Sequence, residues 1–308
     1  MSDEDHPRRE PAVAEAQEVL LSVVDRRLTG DLTDPAVLAA VVAVERLTVA
    51  LRTTDTATLT RALSEGAGAV PDASRPGHDL AELLQEGYGQ VLEGLNRRAD
   101  GRDSDAALVN PDGGAFEIVT DASLLRAAVR AAQGSIDAMP YYRERYGARG
   151  SRFASTDSAW LVSLAPLPAD VAVQQVGWLS RVLAGRGMPS WLMEVHLRAL
   201  VDEVAAAAGP QAVGSLPEAE RSLTQVRRTH VDDELLLAAE EWADETAGYA
   251  VPVPRAGLLL AAAVADVRSG LVRDDHALAG WVTDPAHSSV GAATALAEVR
   301  ERVLAQAR

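Results

Sequence analysis

The sequence predicts an all-α protein, and three observations carry that reading. Apolar residues recur at three- and four-residue steps through most of the chain. Glycine, proline and aspartate cluster between those stretches, where helices start and stop. Only Phe116 to Val119 reads as a strand, and no internal repeat is evident.

Residues 1 to 10 are charged, carry a proline and lack periodicity, so they are expected to be a disordered tail. A helix then begins at Pro11, burying Val13, Ala16, Val19, Leu20, Val23 and Val24 and stopping at Gly30. Asp34-Pro35 is an N-cap followed by a first-turn proline, whose missing N–H is unused there. Leu38, Val41, Val42, Val44, Leu47 and Leu51 follow in an almost wholly apolar helix. Asp55 caps a third helix through Leu63, which Gly66 and Gly68 are expected to end. After a loop over Gly68 to Gly77, Asp79 to Leu95 is helical again. Gly87 and Gly89 weaken it by roughly 1 kcal/mol each. Residues 11–99 thus form an N-terminal helical region, and the turn-rich Asn96 to Gly114 is the expected boundary.

Residues 115–308 form the second unit. Asp121 to Ala138 is a helix that Met139-Pro140 ends, because proline disfavours helix in the residue before it. A short helix capped by Ser155 or Thr156 runs through Leu164, and Ala165-Pro166-Leu167-Pro168 is a stiff connector. Helices over Asp170 to Ala184 and Ser190 to Ala207 flank a Gly185–Pro189 turn. Gly209 to Pro217 reads as a linker. Leu235 to Trp242, Gly257 to Val267 and Val290 to Leu304 complete the helices.

Composition narrows the function. The net charge of −16 favours solubility and disfavours nonspecific binding to nucleic acid, which needs basic side chains against phosphates. The chain has no cysteine, which excludes disulfides, Cys-ligated zinc, Fe–S clusters and thiol catalysis. It has no lysine either, which excludes a Schiff-base lysine and the lysine of a phosphate-binding loop. The longest uncharged apolar run, Ala256 to Ala265, is too short to cross a bilayer, which takes ~20 residues. The acidic start lacks the basic region of a secretory signal, so a cytoplasmic protein is expected.

The second unit is organised around Met139 to Leu200. That segment holds Tyr141, Tyr142, Tyr146, Phe153, Trp160, Trp178 and Trp191, seven of the chain's twelve aromatics. Arg143, Arg145, Arg149 and Arg152 lie among them. Guanidinium groups stack on rings and fork to carboxylate or phosphate, so tyrosine beside arginine suits an anion or a flat ligand. The competing reading is a helix end with rings packed inward and arginines reaching to water. His196 shares a helix face with Met193 and Leu200. It is either a ligand to a cofactor or a core histidine bonded to a carbonyl or carboxylate. The candidate ligand-binding set is therefore Tyr141, Tyr142, Arg143, Arg145, Tyr146, Arg149, Arg152, Trp160, Trp178, Trp191 and His196.

Other chemistry has weaker support. Asp274, Asp275, His276, Asp284 and His287 are the nearest approach to a metal cluster, but their spacing fits no ligand template. His230 with Asp232, Asp233 and Glu234 reads as helix-start acids answering the macrodipole. No Gly-x-Ser-x-Gly elbow occurs, and no motif argues for catalysis.

Trp178-Leu-Ser-Arg-Val-Leu-Ala-Gly-Arg-Gly-Met-Pro-Ser-Trp191-Leu loosely resembles the corner after the proximal helix of bacterial sensor globins. The resemblance covers some thirty residues. It places Leu183 where that family has its haem-binding histidine, and so implies at most a haem-less globin-type sensor or scaffold domain.

The expectation is a noncatalytic regulatory or assembly protein that binds a protein partner, a second copy of itself or a small ligand through helical surfaces. The nearly all-apolar helices at Leu38–Leu51 and Gly257–Val267 motivate self-association, since each must be buried on several sides. The rival expectation is a cofactor- or metal-binding protein, even an enzyme, with a pocket lined by the aromatics. Binding of nucleic acid through the four arginines comes last, because the overall charge opposes it.

Overall fold

The computed structural model describes residues 6–28, 36–69, 80–102 and 119–308. Among the described residues every regular element is a helix. The chain divides into two compact units. The first comprises Met1–Gly134, Tyr146–Ser163 and Glu203–Pro210, and the second Ser135–Arg145, Leu164–Asp202 and Gln211–Arg308. The first unit thus runs past the boundary expected at 96–114. Most of that stretch, and of the strand expected at 116–119, lies outside the described residues.

The first unit is built on α1 (His6–Leu28), α2 (Ala36–Leu51), α3 (Thr56–Ala69) and α4 (Leu80–Ala99). Helix α1 starts at His6, earlier than its apolar stripe, with Pro11 inside it. Proline there gives up one backbone hydrogen bond near the helix start, where the ladder is least complete. Ala16, Val19, Leu20 and Val23 pack with Ala43, Val44, Leu47, Leu59, Leu63, Val91 and Leu95 in one core. Helices α2 and α4 run the same way, since Val44 faces Gly94 and Thr48 faces Arg98.

Glycine positions α3. The helix does not stop at Gly66 but continues through Gly68 to Ala69. Gly66 is buried, and a Cβ there would come 2.5 Å from the Cβ of Ala16. Its bare Cα is what lets α1 and α3 approach.

Next to this core Glu45 is 3% exposed, with Arg98 at 2.9 Å and Arg126 at 3.0 Å. Burial raises its carboxyl above the usual range, and the two guanidinium groups oppose that. Arg126 lies on α5 (Ala122–Ala138), which begins at an Asp121 cap and ends at Met139-Pro140 as expected. Ser163 Oγ accepts the N–H of Val119 at 3.0 Å.

The second unit holds the start of α6 (Tyr141–Val162), then α7 (Ala169–Gly185), most of α8 (Ser190–Ala208), α9 (Leu216–His230), α10 (Asp233–Ala247), α11 (Ala256–Arg268), α12 (His276–Val282) and α13 (Val290–Gln306). Helix α11 is its axis. Every residue from Ala256 to Asp266 is buried. It packs on α9, α10, α12 and α13. A Cβ at Gly257 would lie 2.2 Å from the carbonyl oxygen of Ala239, so α10 and α11 meet backbone to backbone. The apolarity that motivated self-association through α11 is satisfied within the unit. In α2, Val42, Ala43, Val44 and Leu47 are buried in the first unit, and the side chains of Leu38 and Val41 lie outside what is described.

The expected linker at Gly209 to Pro217 is a 3-10 turn over Pro210–Val213 followed directly by α9. Gly214 packs so tightly on Ala165 that a Cβ would fall 1.9 Å from its carbonyl oxygen. The Ser215 N–H donates to that same oxygen at 2.9 Å, and its hydroxyl donates to the Leu167 carbonyl at 2.5 Å.

Candidate functional site

The turn between α7 and α8 is shaped by backbone rules before any side chain is considered. Met188 N–H bonds the Leu183 carbonyl at 3.0 Å and Gly187 N–H bonds that of Ala184 at 2.9 Å. This is a Schellman end, and its left-handed position is Gly187 at φ +90°. Tyr141, with no exposed surface, donates its hydroxyl to the Gly187 carbonyl. Arg145 Nη1 donates to the Tyr141 oxygen at 2.7 Å and Nη2 to the Arg186 carbonyl at 3.1 Å. The Arg145 guanidinium lies 5.7 Å from the Tyr141 ring centre and 5.8 Å from that of Trp281. Trp281 meets Tyr141 edge-on at 5.4 Å and stacks on His287 at 4.8 Å. Two of the candidates, Tyr141 and Arg145, are thus brought together, but around the chain's own Trp281 and His287. Those partners lie some 140 residues downstream, and no local pattern marks them.

The remaining candidates separate. Tyr142 is half-buried, its ring centre 6.5 Å from that of Tyr141. Arg143 is exposed and pairs with Asp137. Gly147, at φ 56° and ψ −156°, breaks α6. Tyr146, Arg149, Phe153 and Trp160 beyond it belong to the first unit, as does Arg152, whose side chain lies outside what is described. Arg149 stacks on Phe153 at 5.5 Å, and Trp160 is half-buried. In the second unit Trp191 is 8% exposed. Trp178 is 52% exposed, the most open of the five tryptophans.

His196 is 8% exposed, and its Nδ1 lies 2.9 Å from the hydroxyl of Ser135. At that nitrogen the partner is a hydroxyl. Burial holds the imidazole down at about 4, so the ring is neutral near pH 7.

One face of α8 carries a polar line through the second unit's core. Glu194 has no exposed surface and receives Arg227 Nε at 3.0 Å, Thr224 Oγ1 at 2.9 Å and Arg198 Nη2 at 3.4 Å. Burial raises its carboxyl, and the Arg227 guanidinium opposes the rise. One turn earlier, Ser190 gives both its N–H, at 2.8 Å, and its hydroxyl to Asp266. Neither Glu194 nor Asp266 belongs to a motif, so sequence patterning did not select them. For Asp266 the visible signal is an acid that closes the uncharged apolar run Ala256 to Ala265, whereas Glu194 lies in a helix with several other charges.

The expected acidic clusters are used locally. Asp275 forks with Arg300 at 2.6 and 2.8 Å. Asp274 accepts the N–H of His276, Asp284 that of Ala286, and Asp232 caps α10 through Leu235. Asp233 pairs with Arg227 and Arg228, and His230 meets the Arg308 carbonyl. Among the described residues no group of three or more acid or imidazole side chains is placed to hold a metal.

No protein-family model, curated protein or solved structure shows a match to the chain. At the corner that resembles the sensor globins, Leu183 is a half-buried residue whose carbonyl closes the Schellman turn. No helix among the described residues is long and apolar enough to cross a membrane.

Proposed function

We propose that this chain is a noncatalytic regulatory or assembly protein, and that it engages a protein partner, with a second copy of itself the first candidate, through the outer face of α7. The observation that carries this reading is Trp178, 52% exposed in a chain that has only five tryptophans. Val171, Gln175 and Val182 are half-buried on the same helical stripe as Trp178. Helix α9, packed on α7, adds half-buried Leu223 and 49%-exposed Val226. Tryptophan is enriched at interfaces because it removes a large apolar area while ordering few torsions. The self-packed Tyr141–Arg145–Trp281 cluster supports this surface reading over a ligand pocket among the aromatics.

Sedimentation of the full chain across micromolar to hundreds of micromolar tests the reading. Wild type is expected to self-associate, and Trp178→Ser to shift the equilibrium toward monomer with its unfolding midpoint unchanged. A wild type that stays monomeric throughout removes self-association through this face.

A further inference from the structure

The outer stripe of α7 is symmetric in position about Trp178. Gln174 lies four residues before it and Val182 four after; Val171 lies seven before and Gly185 seven after. At 3.6 residues per turn, all four fall within about 40° of the tryptophan around the helix. The charges on this helix are not symmetric. Asp170 is exposed in the first turn, whereas Arg181 and Arg186 are exposed at the C-terminal end. That end is also open in shape. Gly185 is exposed, and a Cβ there would meet nothing among the described residues within 4 Å.

We propose that a second copy of this chain docks on α7 antiparallel, with the two-fold axis passing beside Trp178. This rests on the reading of α7 as the interaction surface and adds to it the direction in which the two helices meet.

A two-fold pair brings the same patch of both copies together, so the choice left is helix direction. A parallel pair would set Asp170 against the partner's Asp170 and Arg181 against the partner's Arg181, with the two helix dipoles aligned. Each of those terms is repulsive. An antiparallel pair sets the Asp170 end against the partner's Arg181 and Arg186 and opposes the dipoles.

Shape favours the same choice. Long side chains on a helix lean toward its N-terminus. In a parallel pair both tryptophan rings would lean the same way and compete for one level. In an antiparallel pair they pass each other, and each covers the partner's C-terminal half. There it finds half-buried Val182 and the bare Gly185, which leaves room for a large ring.

The chain has no cysteine, so introduced cysteines report their own positions without background. Val171→Cys, isotope-labelled, is mixed with unlabelled Gly185→Cys and treated with a short bismaleimide, and the linked species are weighed. In the antiparallel pair residue 171 lies level with the partner's residue 185, whereas the two copies of residue 171 lie about 21 Å apart along the helices. Mixed links are expected and like-with-like links are not, and adding Trp178→Ser should abolish the mixed link. Like-with-like links at both positions overturn the antiparallel pair but leave α7 as the contact. Sedimentation of the same samples separates the remaining outcomes. Association without any link removes α7 as the contact, and a chain that stays monomeric removes self-association itself.

Discussion

Arg227 Nε lies 3.0 Å from Glu194 Oε1, and the two side chains are 3% and 0% exposed. The rest of the guanidinium is occupied too, by the Val231 carbonyl at 3.0 Å and by Asp233 at 2.7 Å. Taking two charges out of water is costly, and this pair recovers that only because almost every polar atom finds a partner. Removing one member strands the other. Arg227→Ala is expected to lower stability by about 3–5 kcal/mol, and the paired change Glu194→Leu with Arg227→Met should recover most of the loss. Urea unfolding at pH 7 measures both. A single Arg227→Ala within about 1 kcal/mol of wild type would show that the pair is hydrated in solution.

Burial holds the His196 imidazole down and pushes the Asp266 carboxyl up to about 7, so the two give stability slopes of opposite sign. The folded imidazole's pKa of about 4 lies below the 6.5 of an exposed imidazole. Between these values the unfolded chain binds the extra proton, so stability falls as pH drops from 6.5 toward 4, by about 3 kcal/mol in all. Over much of this window Asp266 contributes a slope of the other sign. The His196 slope should therefore appear most clearly in the Asp266→Asn background, and His196→Asn should abolish it. Persistence of the slope in the double variant would assign it elsewhere.

Gly66 and Gly68 lie two residues apart on α3 and should respond oppositely to alanine. At Gly66 the added methyl meets Ala16 at 2.5 Å, whereas at Gly68 nothing among the described residues lies within 4 Å. Alanine gains roughly 1 kcal/mol of helix propensity at either site. Gly68→Ala should keep that gain. Gly66→Ala should lose about 1–3 kcal/mol to overpacking. Thermal midpoints moving the same way for both would contradict the close crossing of α1 and α3.

At Gly187 a Cβ would lie 2.6 Å from both terminal nitrogens of Arg145, at a backbone angle that side chains rarely adopt. Gly187→Ala should destabilise by about 1–3 kcal/mol through backbone strain and displacement of that guanidinium. Adding Arg145→Ala should relieve the clash but leave the strain, so the two changes should be non-additive in a double-mutant cycle. Simple additivity would separate Arg145 from the turn.

The helices of this chain were legible wherever one face is buried and the ends carry standard signals. Helices α5, α7 and α8 start and stop within a few residues of where aspartate, proline and glycine place them. The stripe Ala16, Val19, Leu20, Val23 of α1 is buried as its spacing requires. Gly66 was misleading because a glycine's meaning depends on what faces it; opposite Ala16 it serves packing, not termination. Helix α12, only seven residues long, was hidden among acids that cap it and pair with Arg300. In the aromatic segment the residue types were visible, but the side of the protein each one faces was not. Tyr141 and Trp178 look alike in composition, yet one is fully buried and the other half open. What separates them is packing against Gly187 and Trp281, which local spacing does not encode.

The seam between Ala165 and Gly214–Ser215 has a consequence for how the chain is cut. By composition, Ala165–Pro168 and Gly209–Pro217 are the loops a protease would be expected to open first. Cleavage needs several residues of backbone drawn out into an enzyme's groove, and the Ala165 and Leu167 carbonyls are already spent on Ser215. The two loops hold each other shut, so a nick in either should come only with the opening of both.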